Sequence, residues 1–160
     1  MSSGSSVCSL CPVICEAVGT RSGSPVGEHL LDIDGWPLLV LHQYAVPGWY
    51  VLAAPRHVES FGELSVAELQ AYGTALGRLD RALRAQIAVA KTYLVAFGEQ
   101  ILHLHVLVCA VTDEFRASSG RGADLVARRA DLIDEEQARA VAATVVRALR
   151  ADPGSQPATR

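Results

Sequence analysis

Lysine is almost missing from this chain. Lys91 is the only one among 160 residues, and the formal net charge is −3. A broad basic surface for bulk nucleic acid is thereby excluded. Long apolar runs are missing too: none reaches the ~18 residues that a membrane helix needs, so no membrane partner is expected. The stretch from Met1 to Ser6 is rich in serine and glycine and lacks the charged and apolar regions of a signal peptide. The expectation is a cytoplasmic protein. Thiols stay reduced there, so its cysteines are read as metal ligands before disulfides. Charged residues make up only 19% and apolar ones 50%, a balance that excludes disorder and supports a packed core. No internal repeat divides the sequence. The reading is a tail over 1–7, one domain over 8–151 and a second tail over 152–160.

What is present divides into short strands and two helices. After Cys8-Ser-Leu-Cys11, Pro12 to Val18 suggests one helical turn, and Thr20 to Pro25 a loop. His29 to Ile33 and Trp36 to Gln43 read as strands joined by an Asp34-Gly35 hairpin turn. Pro47-Gly48 is another turn, before a strand from Trp49 to Ala54. Ser65-Val-Ala-Glu68 is a capping box. It opens a long helix with Leu69, Tyr72, Leu76, Leu79, Leu83 and Ile87 along one face. Gly73 and Gly77 on this helix allow close approach to a sheet or partner, or are simply tolerated. Thr92 to Phe97 and Leu102 to Val111 read as strands. Asp113 to Asp131 shows no period and reads as an exposed loop containing a strand or turn. Asp134 caps a last helix that ends near Ala151. Together these predict an α+β fold: an antiparallel sheet with one long helix and a C-terminal helix.

The chain is organised around Glu99-Gln100-Ile101-Leu102-His103-Leu104-His105-Val106-Leu107-Val108. Read as a strand, it places Ile101, His103, His105 and Leu107 on one face and Leu102, Leu104, Val106 and Val108 on a core face. Two imidazoles on a stiff strand suit a metal ligand or a nucleophile. Cys8 and Cys11 have the spacing with which two thiolates grip one tetrahedral zinc, and Cys15 is an alternative. His57 and His103 would complete a Cys₂His₂ set and leave His105 uncoordinated. Arg116, Arg121, Arg128 and Arg129 either gather on a phosphate or partner or form a solvated face. Cys109 reads as a buried thiol.

Pro47-Gly48-Trp49-Tyr50-Val51-Leu52-Ala53-Ala54-Pro55-Arg56-His57, followed by Glu63-Leu64-Ser65, resembles the segment before the long helix of the histidine triad superfamily. Phe97-Gly98-Glu99 and then His103-Leu104-His105-Val106-Leu107 resemble its signature, and the Cys-x-x-Cys start is similar to its bacterial members. The resemblance covers most of residues 8 to 151. It implies a histidine triad-like hydrolase or nucleotidyltransferase acting on a phosphate ester or nucleotide, with His105 matching the histidine that attacks the α-phosphate. It implies Zn²⁺ on Cys8, Cys11, His57 and His103, and a homodimer with the helix from Val66 to Ile87 at or near the interface. Glu99, Gln100 and Arg56 are the candidate polar contacts to substrate.

The sequence also departs from the family pattern. The third triad position is Leu107, where relatives without a third histidine keep a glutamine, and leucine donates no hydrogen bond. Trp49 stands where a histidine is frequent, and no carboxylate follows Leu41. Leu107, Trp49 and Leu41 are thus expected to make the substrate pocket apolar and its substrate non-standard. The competing expectation is a zinc-stabilised histidine triad fold whose pocket has been repurposed, without nucleotide hydrolysis.

Overall fold

A computed structural model describes residues 8–15 and 26–152, apart from the Cys15 side chain. The tails expected over 1–7 and from 153 onward, and the loop from Thr20 to Pro25, lie outside those residues. Asp152, assigned by sequence to the second tail, caps the last helix.

The hairpin turn forms as its residues dictate. Asp34 and Gly35 sit at φ 51° and 82°, the left-handed pair that matches the twist of a two-residue hairpin and favours Asp-Gly. It joins β1, Gly27–Ile33, to β2, Trp36–Leu41. Strand β3 spans Trp49–Ala53, β4 Lys91–Val95 and β5 His105–Val111. All pairings are antiparallel, in the order β1-β2-β3-β5-β4. Strand β5 is therefore held on both sides, and its first residue, His105, is opposite Ala53 at the end of β3.

Helix α1, Leu10–Cys15, precedes the sheet, and α2, Val66–Gln86, links β3 to β4. The expected capping box is made: Ser65 Oγ accepts the Glu68 N–H at 3.2 Å, and the Glu68 carboxylate accepts the Ser65 N–H at 2.7 Å. Asp134 likewise accepts the Gln137 N–H at 2.9 Å and opens α5, Glu135–Ala151. These two helices cover one face of the sheet. Leu79 and Leu83 from α2 and Val145 and Leu149 from α5 pack on Trp36, Leu38, Tyr50, Leu52 and Val108. Each such aliphatic side chain contributes ~1.5–3 kcal/mol by leaving water. Arg78 of α2 ties the layers together, donating to the Asp34 carboxylate and to the Leu149 carbonyl of α5. Among the described residues, no helix is long and apolar enough to cross a membrane.

Two expectations need correction. The strand predicted from Leu102 begins only at His105. The Leu104 N–H donates to the Val58 carbonyl, and its own carbonyl accepts from the Ala54 N–H. The chain just past β3 thus replaces the strand ladder, and Leu102 turns outward, 51% exposed, instead of joining the core. The segment after β5 is helical, not a loop with a strand: α3 spans Asp113–Ser119, α4 Ala123–Ala127, and a 3₁₀ turn Arg129–Leu132. Thr112 caps α3 by accepting the Phe115 N–H at 3.0 Å, and Gly120 and Gly122 at positive φ break the chain between the two helices. Seven and five residues are too few for a helical period to show in sequence. This segment matters because Leu125 and Val126 of α4, with Leu10 and Val13 of α1, cover the second face of the sheet.

Candidate metal centre and active site

His103 and His105 begin on one stretch of chain and serve different surroundings. The His103 ring is buried, 1% exposed. Its Nε2–H donates to the Ala54 carbonyl at 2.9 Å, which leaves the Nδ1 lone pair facing Cys11 Sγ at 3.5 Å. Burial holds the His103 pKa below its ordinary value against the opposing Ala54 hydrogen bond, with His57 and His105 adding to the depression. A neutral ring with its second nitrogen tied to a carbonyl is the form that ligates metal.

His57 lies just past β3. Its Nδ1 is 3.4 Å from Cys11 Sγ, and its ring stands edge-on to His103 at 5.2 Å. Helix α1 brings up the cysteines, anchored by the fully buried Leu10 and Val13. The result is four donor atoms, from Cys8, Cys11, His57 and His103, all within 4.8 Å of one another. Tetrahedral zinc with bonds of about 2.0–2.3 Å separates its ligand atoms by about 3.3–3.8 Å. The spacings from Cys11 Sγ to His57 and His103 fall in that range, so the donor set fits a metal ion. Glu59, 3.9 Å from His57 Nε2, is placed to orient that ring. The alternative ligand Cys15 lies outside the described side chains.

His105 opens β5 and points elsewhere. Its Nδ1–H donates to the His103 carbonyl at 2.7 Å, fixing the ring and leaving Nε2 without a hydrogen-bond partner among the described residues. The ring lines a cavity of about 440 Å³. Glu99 and Gln100 from the loop before β5 line it too, as do Leu41 at the end of β2, Tyr44 just after it, and Val126 and Arg129 from the segment after β5. Phe97, at 63% exposed, stands at the rim. Arg129 lies over the Tyr44 ring at 4.9 Å.

No family model matches the chain, and no curated protein does. Solved structures do. A histidine triad protein from Marinobacter aquaeolei superposes with a TM-score of 0.63 at 18% identity, over 78% of this chain and 90% of that one. One from Bradyrhizobium japonicum gives 0.61 at 18% identity, over 77% and 90%. A Zn-bound histidine triad family protein from Mycobacterium smegmatis gives 0.60 at 15% identity, over 90% and 96%. The chain has the histidine triad fold.

Within that fold the predicted substrate contacts divide. Glu99, Gln100 and Leu41 line the His105 cavity. Leu107 and Trp49 do not. They lie beneath it, 5% and 1% exposed, packed with Leu10, Val13 and Leu125, because α1 and α4 cover the sheet face on which they stand. Arg56 does not line the cavity either. Its guanidinium donates to both Glu68 oxygens at 2.7 and 3.0 Å and to the Glu63 carbonyl at 2.7 Å. This pairing and the Ser65 N–H hold the Glu68 carboxyl down at about 2. The capping box that marked the helix start thus occupies the arginine. Cys109 is a buried thiol as expected, its pKa pushed up to about 12 by burial. Tyr44 and Phe97 were missed. Tyr44 ends a 3₁₀ turn and Phe97 stands in a loop, and the place of both in the cavity that His105 lines depends on pairings distant in sequence.

Proposed function

We propose that this chain is a histidine triad hydrolase or nucleotidyltransferase in which His105 attacks the phosphorus of a nucleoside phosphate ester, anhydride or phosphoramidate. One observation carries the reading: His105 Nδ1–H is held by the His103 carbonyl, so Nε2 is the ring nitrogen left to act on a ligand in the cavity that the ring lines. A neutral imidazole is a competent nucleophile near pH 7. The Nε2 pair forms a bond to phosphorus, and the bond to the leaving group breaks with its electrons going to that group, which takes a proton from solvent. Water or another acceptor then attacks the same phosphorus. The N–P bond breaks, the pair returns to Nε2, and the acceptor's proton is released. Tyr44, Phe97 and Leu41 supply apolar surface for a base or other flat group, and Glu99 and Gln100 supply partners for hydroxyls.

Zinc is the metal the centre would take, held by Cys8, Cys11, His57 and His103. When bound it would stabilise the fold and immobilise His103, and through that residue's carbonyl the orientation of His105. As metal ligands the thiols would stay reduced, which would suit a cytoplasmic protein.

A homodimer belongs to the same proposal. Val66 and Leu69 on α2 are 71% and 40% exposed and share a stripe with Gly73 and Gly77. A methyl group added at Gly73 would meet nothing within 4 Å, and at Gly77 only the Arg81 guanidinium. Packing among the described residues makes no use of these glycines, which leaves a flat apolar stripe for a second copy.

The competing reading, a metal-stabilised fold with a repurposed pocket, draws on Leu107: it is buried, so the third triad position gives the cavity no donor. Incubation with an adenosine phosphoramidate separates the two. Hydrolysis lost in His105→Ala supports the first reading, and no hydrolysis by metal-loaded wild type supports the second.

A further inference from the structure

The cavity beside His105 needs a cation for phosphate, and the usual third histidine is replaced by a buried leucine. We infer that Arg129 is the phosphate clamp of this site, taking over the task that position 107 has lost. The inference rests on the reading of the cavity as a nucleotide site.

Three observations support it. Among the described residues lining the cavity, Arg129 is the only lysine or arginine. Its planar group is already positioned, lying 4.9 Å over the Tyr44 ring and donating from Nη1 to the Val126 carbonyl at 3.4 Å. Those contacts use one of its five N–H donors, and the described residues supply no partner for the others. Stacking on an aromatic face aligns a guanidinium and leaves its edge free, the edge that binds phosphate oxygens in pairs. Finally, Arg129 arrives on the same segment whose Leu125 and Val126 bury the sheet face around Leu107. One stretch of chain thus covers the old donor position and delivers a new cation. In the step proposed above, charge builds on the non-bridging phosphate oxygens, where a fixed cation stabilises it most. Glu99 lines the same cavity with the opposite sign, so a clamp is needed all the more for an anionic ligand to enter.

Calorimetric titration with AMP and with adenosine, on zinc-loaded wild type, Arg129→Ala and Arg129→Lys, tests this. Wild type should bind AMP more tightly than adenosine. Arg129→Ala should weaken AMP roughly ten- to a hundredfold, the loss of one or two charged hydrogen bonds, and leave adenosine binding unchanged. Arg129→Lys should recover part of the AMP affinity, and all three proteins should keep the same metal content. AMP affinity unaltered in Arg129→Ala would overturn the clamp while leaving the nucleotide reading in place. Equal weakening of AMP and adenosine would also overturn it, pointing to a wall residue. If wild type binds neither, the nucleotide reading fails and the clamp fails with it.

Discussion

His105 is oriented by the backbone of the residue that faces the metal centre. The His105 Nδ1–H donates to the His103 carbonyl at 2.7 Å, while the His103 ring is fixed between Ala54 and Cys11. Two histidines of one motif therefore face different surroundings, the first the Cys/His cluster and the second the cavity.

That division predicts opposite phenotypes. His103→Ala should lose metal and melt at lower temperature, because a metal bound only by the folded chain contributes several kcal/mol to folding. His105→Ala should keep both metal and melting temperature and lose turnover by roughly a thousandfold or more. Elemental analysis and thermal melts on the two variants check this. Equal metal loss in both would contradict it. Cys11→Ser should resemble His103→Ala.

Introducing the missing histidine at 107 should not restore a triad. Leu107 is 5% exposed and packed beneath α1 and α4. Leu107→His loses the leucine's packing and buries a ring without partners, a cost of roughly 2–5 kcal/mol. A denaturant melt should show that loss with no gain in hydrolysis. A stable variant with raised turnover would show that position 107 does reach the substrate.

The Arg56–Glu68 pair predicts an acid response. Glu68 titrates at about 2 in the folded chain against an ordinary 4.5. Its pKa is lowered, so its contribution is complete above the unfolded value and disappears as pH falls from about 4.5 toward 2. The melting-temperature gap between wild type and Glu68→Gln should therefore be largest near neutral pH, narrow below about pH 4.5 and close only as the pH approaches about 2. Comparing the two proteins removes the effect of metal loss, which acid causes in both. A gap independent of pH would show that the carboxylate contributes nothing through its charge.

If α2 forms the dimer interface, light scattering at micromolar concentration should give twice the chain mass, and Gly73→Leu should reduce it to one chain. A wild-type mass of one chain would refute this arrangement.

The sequence made the sheet readable where local chemistry decides the outcome: Asp34-Gly35 for the hairpin, Ser65 and Glu68 for α2, Asp134 and Gln137 for α5. It also brought Cys8, Cys11, His57 and His103 together, through donor type, the Cys-x-x-Cys spacing and the resemblance to the histidine triad superfamily. It misled where a tertiary partner decides. Leu102 alternates correctly for a strand, yet Val58 and Ala54 take the backbone hydrogen bonds around Leu104 and leave it in solvent. Arg56 looked available because its partner Glu68 is twelve residues away. Arg129 could not be singled out from the neighbouring arginines by sequence, because the fold after α4 is what sets it in the cavity that His105 lines.

The central claim is that His105 Nε2 bonds to phosphorus. Rapid acid-free quenching of wild type with an adenosine phosphoramidate, followed by peptide mass spectrometry, tests it most directly. The account predicts an adenylyl group on His105, formed within one turnover and missing from His105→Ala. Turnover without an adduct, or an adduct on another residue, would contradict it.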